Sequence, residues 1–498
     1  MWARLAKEIL LEAQKCVQTG FAGAALKRGW ANDPLAIRTL LALIFCATLL
    51  VTCSRAEDWP QLGCNPQRWN YSPHTVEPPY RLKWFVNFRD MGFGCRVYPG
   101  IQVVAGGGNV YIGTKNGCLF ALDAQSGAVA WKQVLDAPVM GEAGYSAGKV
   151  YIGTMGGVVY AADCKTGKQL WCFENPRRYG FSVGVLLAEG RIIIPDRGGM
   201  LYAIDQETGK KVWNYDASTS ILQAAAYNDG KVYFASEDGR VHAIKARTGE
   251  SLWRTVPLWA HSFYGTWPVV FDGKVIVRYH TTHKVARTGP VTCETNDWRK
   301  SVVVLDEATG KEILAIPHIT TGMGGPTKPP PITGDGKLVM PWTFKGQGKT
   351  RGLVLQDLSA PDQVDRLLDH DKLDEPIEYP FRGGPVIPGF GSHQENFSNS
   401  VIGDLVVKVH YHGFAWGDPA SQMGAYHLKE RRWYSAGGPR SAFPEPVGGD
   451  REHNTQGGTS NPVIGAYGHL YHQHWDTVCC WESAGAGEGR PRRQKGQR

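Results

Sequence analysis

The chain has 498 residues, 42% of them hydrophobic and 20% charged, with 61 glycines and 17 tryptophans. This is a globular composition, and its glycine and tryptophan usage suits an all-β protein with many tight turns and large packing aromatics. The formal charge of +8 sits largely at the ends. Residues 57–498 hold 47 Lys/Arg against 43 Asp/Glu, and five of those basic residues fall in the last nine positions. The body therefore lacks the basic stripe that a nucleic-acid partner needs.

The first element is a long apolar run, residues 40–51, that follows Arg38 and precedes Ser54-Arg55-Ala56. It is too short for a comfortable membrane span and about right for the apolar region of a signal, with cleavage before Glu57. The stretch ahead of it is long for a signal and suggests that translation starts further downstream; an uncleaved signal anchor is the rival reading. Leu50-Val51-Thr52-Cys53 loosely resembles a lipidation box. Residues 1–56 are thus read as an N-terminal extension with a signal peptide or anchor. Export to the periplasm or cell surface is expected, with membrane contact only through an uncleaved or lipidated N-terminus. Of eleven cysteines, Cys16, Cys46 and Cys53 lie in or before the signal. Some of the other eight can pair in an oxidising compartment, Cys64 with Cys95 for instance.

From residue 109 one pattern is spelled out four times. Asn109-Val110-Tyr111-Ile112-Gly113 leads to Ala121-Leu122-Asp123, Gly127 and Trp131, and Lys149-Val150-Tyr151-Ile152-Gly153 leads to Asp163, Gly167 and Trp171. Arg191-Ile192-Ile193 leads to Asp205, Gly209 and Trp213, and Lys231-Val232-Tyr233 leads to Lys245, Gly249 and Trp253. A period near 40 residues, built from short strand-like runs, is the signature of a propeller. Asn116-Gly117 between two such runs predicts a hairpin with both central residues at positive φ. In Asp-x-x-Thr/Ser-Gly, Asp caps backbone amides and Gly closes the turn. The Trp four residues on is expected to fill the gap to the neighbouring blade, its indole N–H seeking a carbonyl.

Weaker units follow. Lys274-Val275-Ile276-Val277 leads to Asp306 and Gly310, with Leu314 in the Trp place and an insertion at about 280–300. Units opening at Lys337, Asp404 and His469 complete the series, and the last stops after Trp481 without a fourth strand. Tyr80-Arg81-Leu82-Lys83-Trp84-Phe85 supplies that strand from the other end and removes exposed edges. The expectation is an all-β, eight-bladed propeller over residues 57–482 (seven blades if the sixth unit is something else), with a disordered basic tail at 483–498.

The Ala-x-Asp-x-x-Thr-Gly-x-x-x-Trp repeat resembles that of the pyrroloquinoline-quinone (PQQ) repeat propellers, the quinoprotein alcohol dehydrogenase-like superfamily. That superfamily includes the lipoprotein propeller of the outer-membrane barrel-assembly machinery. The opening Asp58-Trp59-Pro60-Gln61 and Asn65-Pro66-Gln67-Arg68 resembles the start of many of its secreted members. The repeat serves enzymes and non-enzymes alike, so it carries fold and not function.

Three functions are compatible with these residues. The first and favoured reading is a monomeric binding or scaffold protein, not an enzyme, holding a protein or glycan partner with its face loops; the segments 280–300, 326–331 and 413–423 are candidates. The second is a PQQ-dependent dehydrogenase for alcohols or sugars. The resemblance then implies calcium and the quinone on the ring axis, an acidic base and a vicinal disulfide. Cys479-Cys480 are adjacent but lie in the last unit, whereas the dehydrogenases carry theirs in the first. No calcium ligand or base maps onto a motif here, so PQQ with calcium is not favoured and the catalytic and cofactor-binding residues are unassigned. The third is a metal-dependent enzyme. His410 with His412, and His472 with His474, place imidazoles on one face of a strand, and the 393–396 segment offers a third ligand. The aspartates, glycines and tryptophans of the repeat are read as structural.

Overall fold

The computed structural model describes residues 58–78, 80–88, 101–258, 260, 262–279, 302–316, 328–343, 350–360, 364–369, 399–411, 421–435, 462–474 and 477–484. The chain divides into residues 1–57 and 58–498, and the second unit is the propeller. Among the described residues there is no helix.

Eight sheets form the blades: residues 104–134, 144–174, 186–216, 226–254, 269–316, 338–369 and 400–435, and an eighth made of 464–483 with Tyr80–Asn87. Seven have four strands or more. Blade 6 has three, preceded by an isolated bridge from Ile332 to Leu338 where its innermost strand belongs. Each blade is an antiparallel meander counted outward from the axis. Blade 8 closes as the sequence suggested: Tyr80–Asn87 pairs antiparallel with Thr477–Ser483, Phe85 opposite Cys479 and Trp84 opposite Cys480.

The core lies between blades. Ile193, Leu201 and Trp213 of blade 3 pack with Val232, Phe234 and Ile244 of blade 4, and the adjoining pairs repeat this. The inner strands of blades 1 to 5 are mostly buried on both faces, which explains why those runs are almost continuously apolar, whereas their outermost strands are largely exposed.

The turns differ in one respect from expectation. Positive φ at both central residues belongs to the turn between the first and second strands, as in Gly107-Gly108, Glu189-Gly190 and Asp229-Gly230, and this is the two-residue geometry that suits strand twist. At Asn116-Gly117 only the glycine is left-handed (φ 70°). There the Thr114 hydroxyl accepts the Cys118 N–H at 3.1 Å and the Gly117 N–H meets the Thr114 carbonyl at 3.1 Å, so the turn spans four residues.

The Asp turns form as read. Asp123 Oδ1 accepts from the amides of Gln125 (3.2 Å) and Ser126 (2.8 Å) and from the Ser126 hydroxyl. Asp163, Asp205 and Asp306 do the same for Thr166, Thr208 and Thr309. Each Trp then latches the next blade. The indole N–H of Trp84 donates to the Ala124 carbonyl (3.1 Å). Trp131 reaches Cys164 (2.8 Å), Trp171 reaches Gln206 (3.2 Å), Trp213 reaches Ala246 (2.9 Å) and Trp253 reaches Glu307 (3.0 Å). The ring lies over the turn glycine of that neighbour. A Cβ on Gly127, Gly167, Gly209, Gly249 or Gly310 would stand 2.5–2.8 Å from it.

Candidate binding faces and the ring axis

An antiparallel meander sends its first and third connections to one face of the ring and its second, and the crossing to the next blade, to the other. The first face is uniformly tight. Its connections are turns such as 107–108 and 124–128, the longest being 357–363. Hydrogen bonds tie the two turns of a blade together, from the Ala124 amide to the Gly108 carbonyl (3.0 Å) and from Gln206 to Gly190 (3.0 Å). The second face receives all the long connections: 88–103, 255–268, 279–301, 317–337, 370–399 and 436–463. Most of these residues lie outside the described set, as do the 280–300, 326–331 and 413–423 candidates apart from Lys328-Pro329-Pro330-Pro331 and the strand residues 421–423. Among the described residues of this face, Tyr179 is half exposed, stacks under the Arg177 guanidinium at 5.0 Å and covers Gly198.

The axis is occupied by the chain itself. Residues 58–72 run around the inner edge of the ring as a strap that meets the blades in order. Asp58 accepts from the Tyr467 hydroxyl of blade 8 at 2.7 Å, and Trp59 exchanges both backbone bonds with Ala105 of blade 1 at 2.9 Å. Pro60 accepts from the Tyr145 amide of blade 2 (2.7 Å), and the Gln61 side chain takes the Leu187 amide of blade 3 (3.0 Å). Pro66, Gln67, Trp69 and Asn70 accept from Tyr227, Val270, Ile332 and Val401 of blades 4, 5, 6 and 7 at 2.8–3.0 Å. Tyr71–Ser72 then adds to blade 7 as a parallel strand against Ser400–Ile402. The strap also crosses the centre: the Asn70 amide donates to Gly63 at 2.8 Å, and Gln102 of blade 1 holds Gly63 and Asn70 together.

Arg68 is the strap's fully buried charge. Its guanidinium donates to the carbonyls of Leu62 (2.6 Å), Ala225 (2.9 Å) and Val185 (3.2 Å). Burial lowers it to about 9, opposed by the charge of Glu142. Lys328, also buried, donates to the Gly265 carbonyl at 3.1 Å over the Trp267 ring, and burial lowers it to about 8. Burial raises the Glu142 carboxyl, against the pull of Lys328. The strap and this axial trio were not read from the sequence as a site; the opening motif was the available signal, and nothing in it specified which residues it would meet.

Among the described residues, the axis offers no ligand set for calcium beside a quinone. Calcium takes six to eight oxygens, and among the described residues no group of three His, Cys, Asp or Glu could hold a metal. The amide oxygens of Gln102, Asn70 and Gln223 already accept from Gly63, Gln102 and Ala235. Cys479 and Cys480, neighbours on one strand, point to opposite faces. Cys479 packs with Ile402 and Leu405 of blade 7, and Cys480 with Phe120 of blade 1.

Of the histidine candidates, His472 is buried, with Trp481 stacked on it and its Nδ1 accepting the indole N–H at 3.3 Å. The side chains of His410, His412 and His474 and the 393–396 segment lie outside the described residues, as does Cys95.

The family described as outer membrane protein assembly factor BamB matches residues 81–182 and 174–320. Among solved structures, BamB from Moraxella catarrhalis is similar at 14% identity and TM-score 0.50, over 81% of this chain and all of that one. A europium-containing methanol dehydrogenase is similar at 13% identity and TM-score 0.55, over 84% of this chain and 89% of its own. The quinohemoprotein alcohol dehydrogenase from Comamonas testosteroni is similar at 14% identity and TM-score 0.54, over 86% and 81%. No protein of curated function matches the sequence.

Proposed function

Because the chain belongs to the PQQ-repeat β-propeller superfamily, we propose that it is an exported, monomeric binding ring that holds a protein or glycan partner with one face and catalyses no oxidation. The observation that carries this reading is the inequality of the faces. One is closed by short turns tied to each other, while the other receives every long connection. Rigid rings concentrate recognition in the connections that vary most in length. The same neighbours include dehydrogenases as well as BamB, so fold likeness does not choose between them. The strap-filled axis favours binding over quinone chemistry. Export is supported by the apolar run at 40–51 with its small-residue boundary.

The reading is tested by placing a photo-crosslinking residue at Arg177 or Tyr179 on the long-connection face, and at Lys165 or Glu207 on the tight face. Discrete adducts in the cell envelope are expected from the first pair and none from the second. Equal labelling from both faces, or an oxidase activity in the purified chain, would overturn it.

A further inference from the structure

The indole latches do not run all the way around. They join blades 8, 1, 2, 3, 4 and 5 in succession. Blade 5 then has Leu314 where the Trp would stand, and the outer strand of blade 6, Val364–Asp369, contains no tryptophan. The receiving turn of blade 6 differs as well: Asp357 caps the amide of Ser359, two residues on rather than three, at 2.8 Å, and the sequence from 358 to 363 contains no glycine. The seams from blade 5 to 6 and from 6 to 7 are therefore without the element that holds the five seams running from blade 8 to blade 5.

The strap bonds across those seams. The Trp69 indole N–H donates to the Val270 carbonyl of blade 5 at 2.6 Å, and its ring meets Phe271 edge-on at 5.6 Å. The Trp69 carbonyl takes the Ile332 amide of blade 6 at 2.9 Å, and the next residue, Asn70, takes Val401 of blade 7 at 3.0 Å. Tyr71 packs into the core shared by blades 6 and 7, its hydroxyl against Gly334. Two consecutive residues thus hydrogen-bond three blades, from inside the ring, where the outer latches are missing.

We propose that residues 58–72 are a built-in axial ligand of the ring, standing where the resemblance puts a cofactor and cinching blades 5, 6 and 7 in place of indole latches. This does not depend on which partner the ring binds. It predicts that the weak half of the propeller opens from the axis, while the latched half is indifferent to the strap's last residues.

Hydrogen–deuterium exchange on the full mature chain tests this. Trp69→Phe removes one N–H and leaves the Val270 carbonyl without that donor. It is expected to speed exchange roughly tenfold at Val269–Phe271 and Ser400–Ile402, and to leave Gly144–Ser146 and Leu186–Ala188 unchanged. Tyr71→Ala, at a partly exposed side chain, is expected to loosen Ser400–Ile402 without unfolding the ring. Trp131→Phe, the same chemical change at a latched seam, should act on blades 1 and 2 and spare blades 5 to 7. Uniform acceleration in all three variants, or none at blades 5 to 7 in the first two, would overturn the proposal and leave the face-binding reading intact.

Discussion

The tryptophan and the glycine of adjacent repeats are one device made of two residues. Trp213 lies over Gly249, where a Cβ would come within 2.8 Å of its ring, and that glycine also holds φ at 73°. Gly249→Ala therefore combines a left-handed penalty of about 1–2 kcal/mol with a steric clash. Trp213→Ala should cost about 3–5 kcal/mol. In the double variant the clash is gone and Gly249→Ala should cost only its backbone penalty, so urea unfolding should show coupling of at least ~1 kcal/mol. Additive costs would mean that the contact is incidental.

His242 supplies a pH dependence at the same scale. It is fully buried, stacked on Phe234, with Tyr215 at Nδ1 (3.1 Å) and Ser236 at Nε2 (2.7 Å). Burial lowers it to about 4, against the pull of Asp238 and with the push of Arg254 and Arg240. The unfolded chain, titrating near 6.5, takes up its proton first. Stability is then fully present above pH ~6.5 and is lost as pH falls toward 4, by on the order of 3 kcal/mol. His242→Phe should flatten that limb in unfolding free energies measured from pH 7 to 4; an unchanged limb would place the proton elsewhere.

At the scale of the strand and the turn, the repeat was legible because each blade poses the same local problem. The Asp caps, the turn glycines and the direction of each indole follow from residue types at fixed spacing. The Asn-Gly turn was less so: pairing of the flanking strands, with the Thr114 hydroxyl as an added cap, decided which turn takes two left-handed residues. The strap was not legible at all. Its blade partners stand 32 to 409 positions away, and no periodicity links Arg68 to Val185 or Ala225. The ring closure was readable because Trp84 repeats the blade pattern out of turn. Ending the chain after residue 476 removes the strand opposite Tyr80–Asn87. That truncation is expected to abolish the cooperative thermal transition; a retained transition would mean that the ring holds without the closure.

Over the whole molecule, the proposed function divides between an axis and a face. The axis is filled by the chain's own residues, with Arg68, Glu142 and Lys328 buried around it. The tight face is knit turn to turn, and the other face carries length that the fold does not require. A quinoprotein needs the reverse arrangement, with an open axis lined by oxygen ligands. The most direct measurement is a titration of the purified mature chain with PQQ and calcium, followed by absorbance and melting temperature. A strap-filled binding ring gives neither a saturable spectral change nor a rise in Tm. A saturable rise, with alcohol or sugar oxidation following it, would show that the axis admits the cofactor and would contradict the binding-ring assignment.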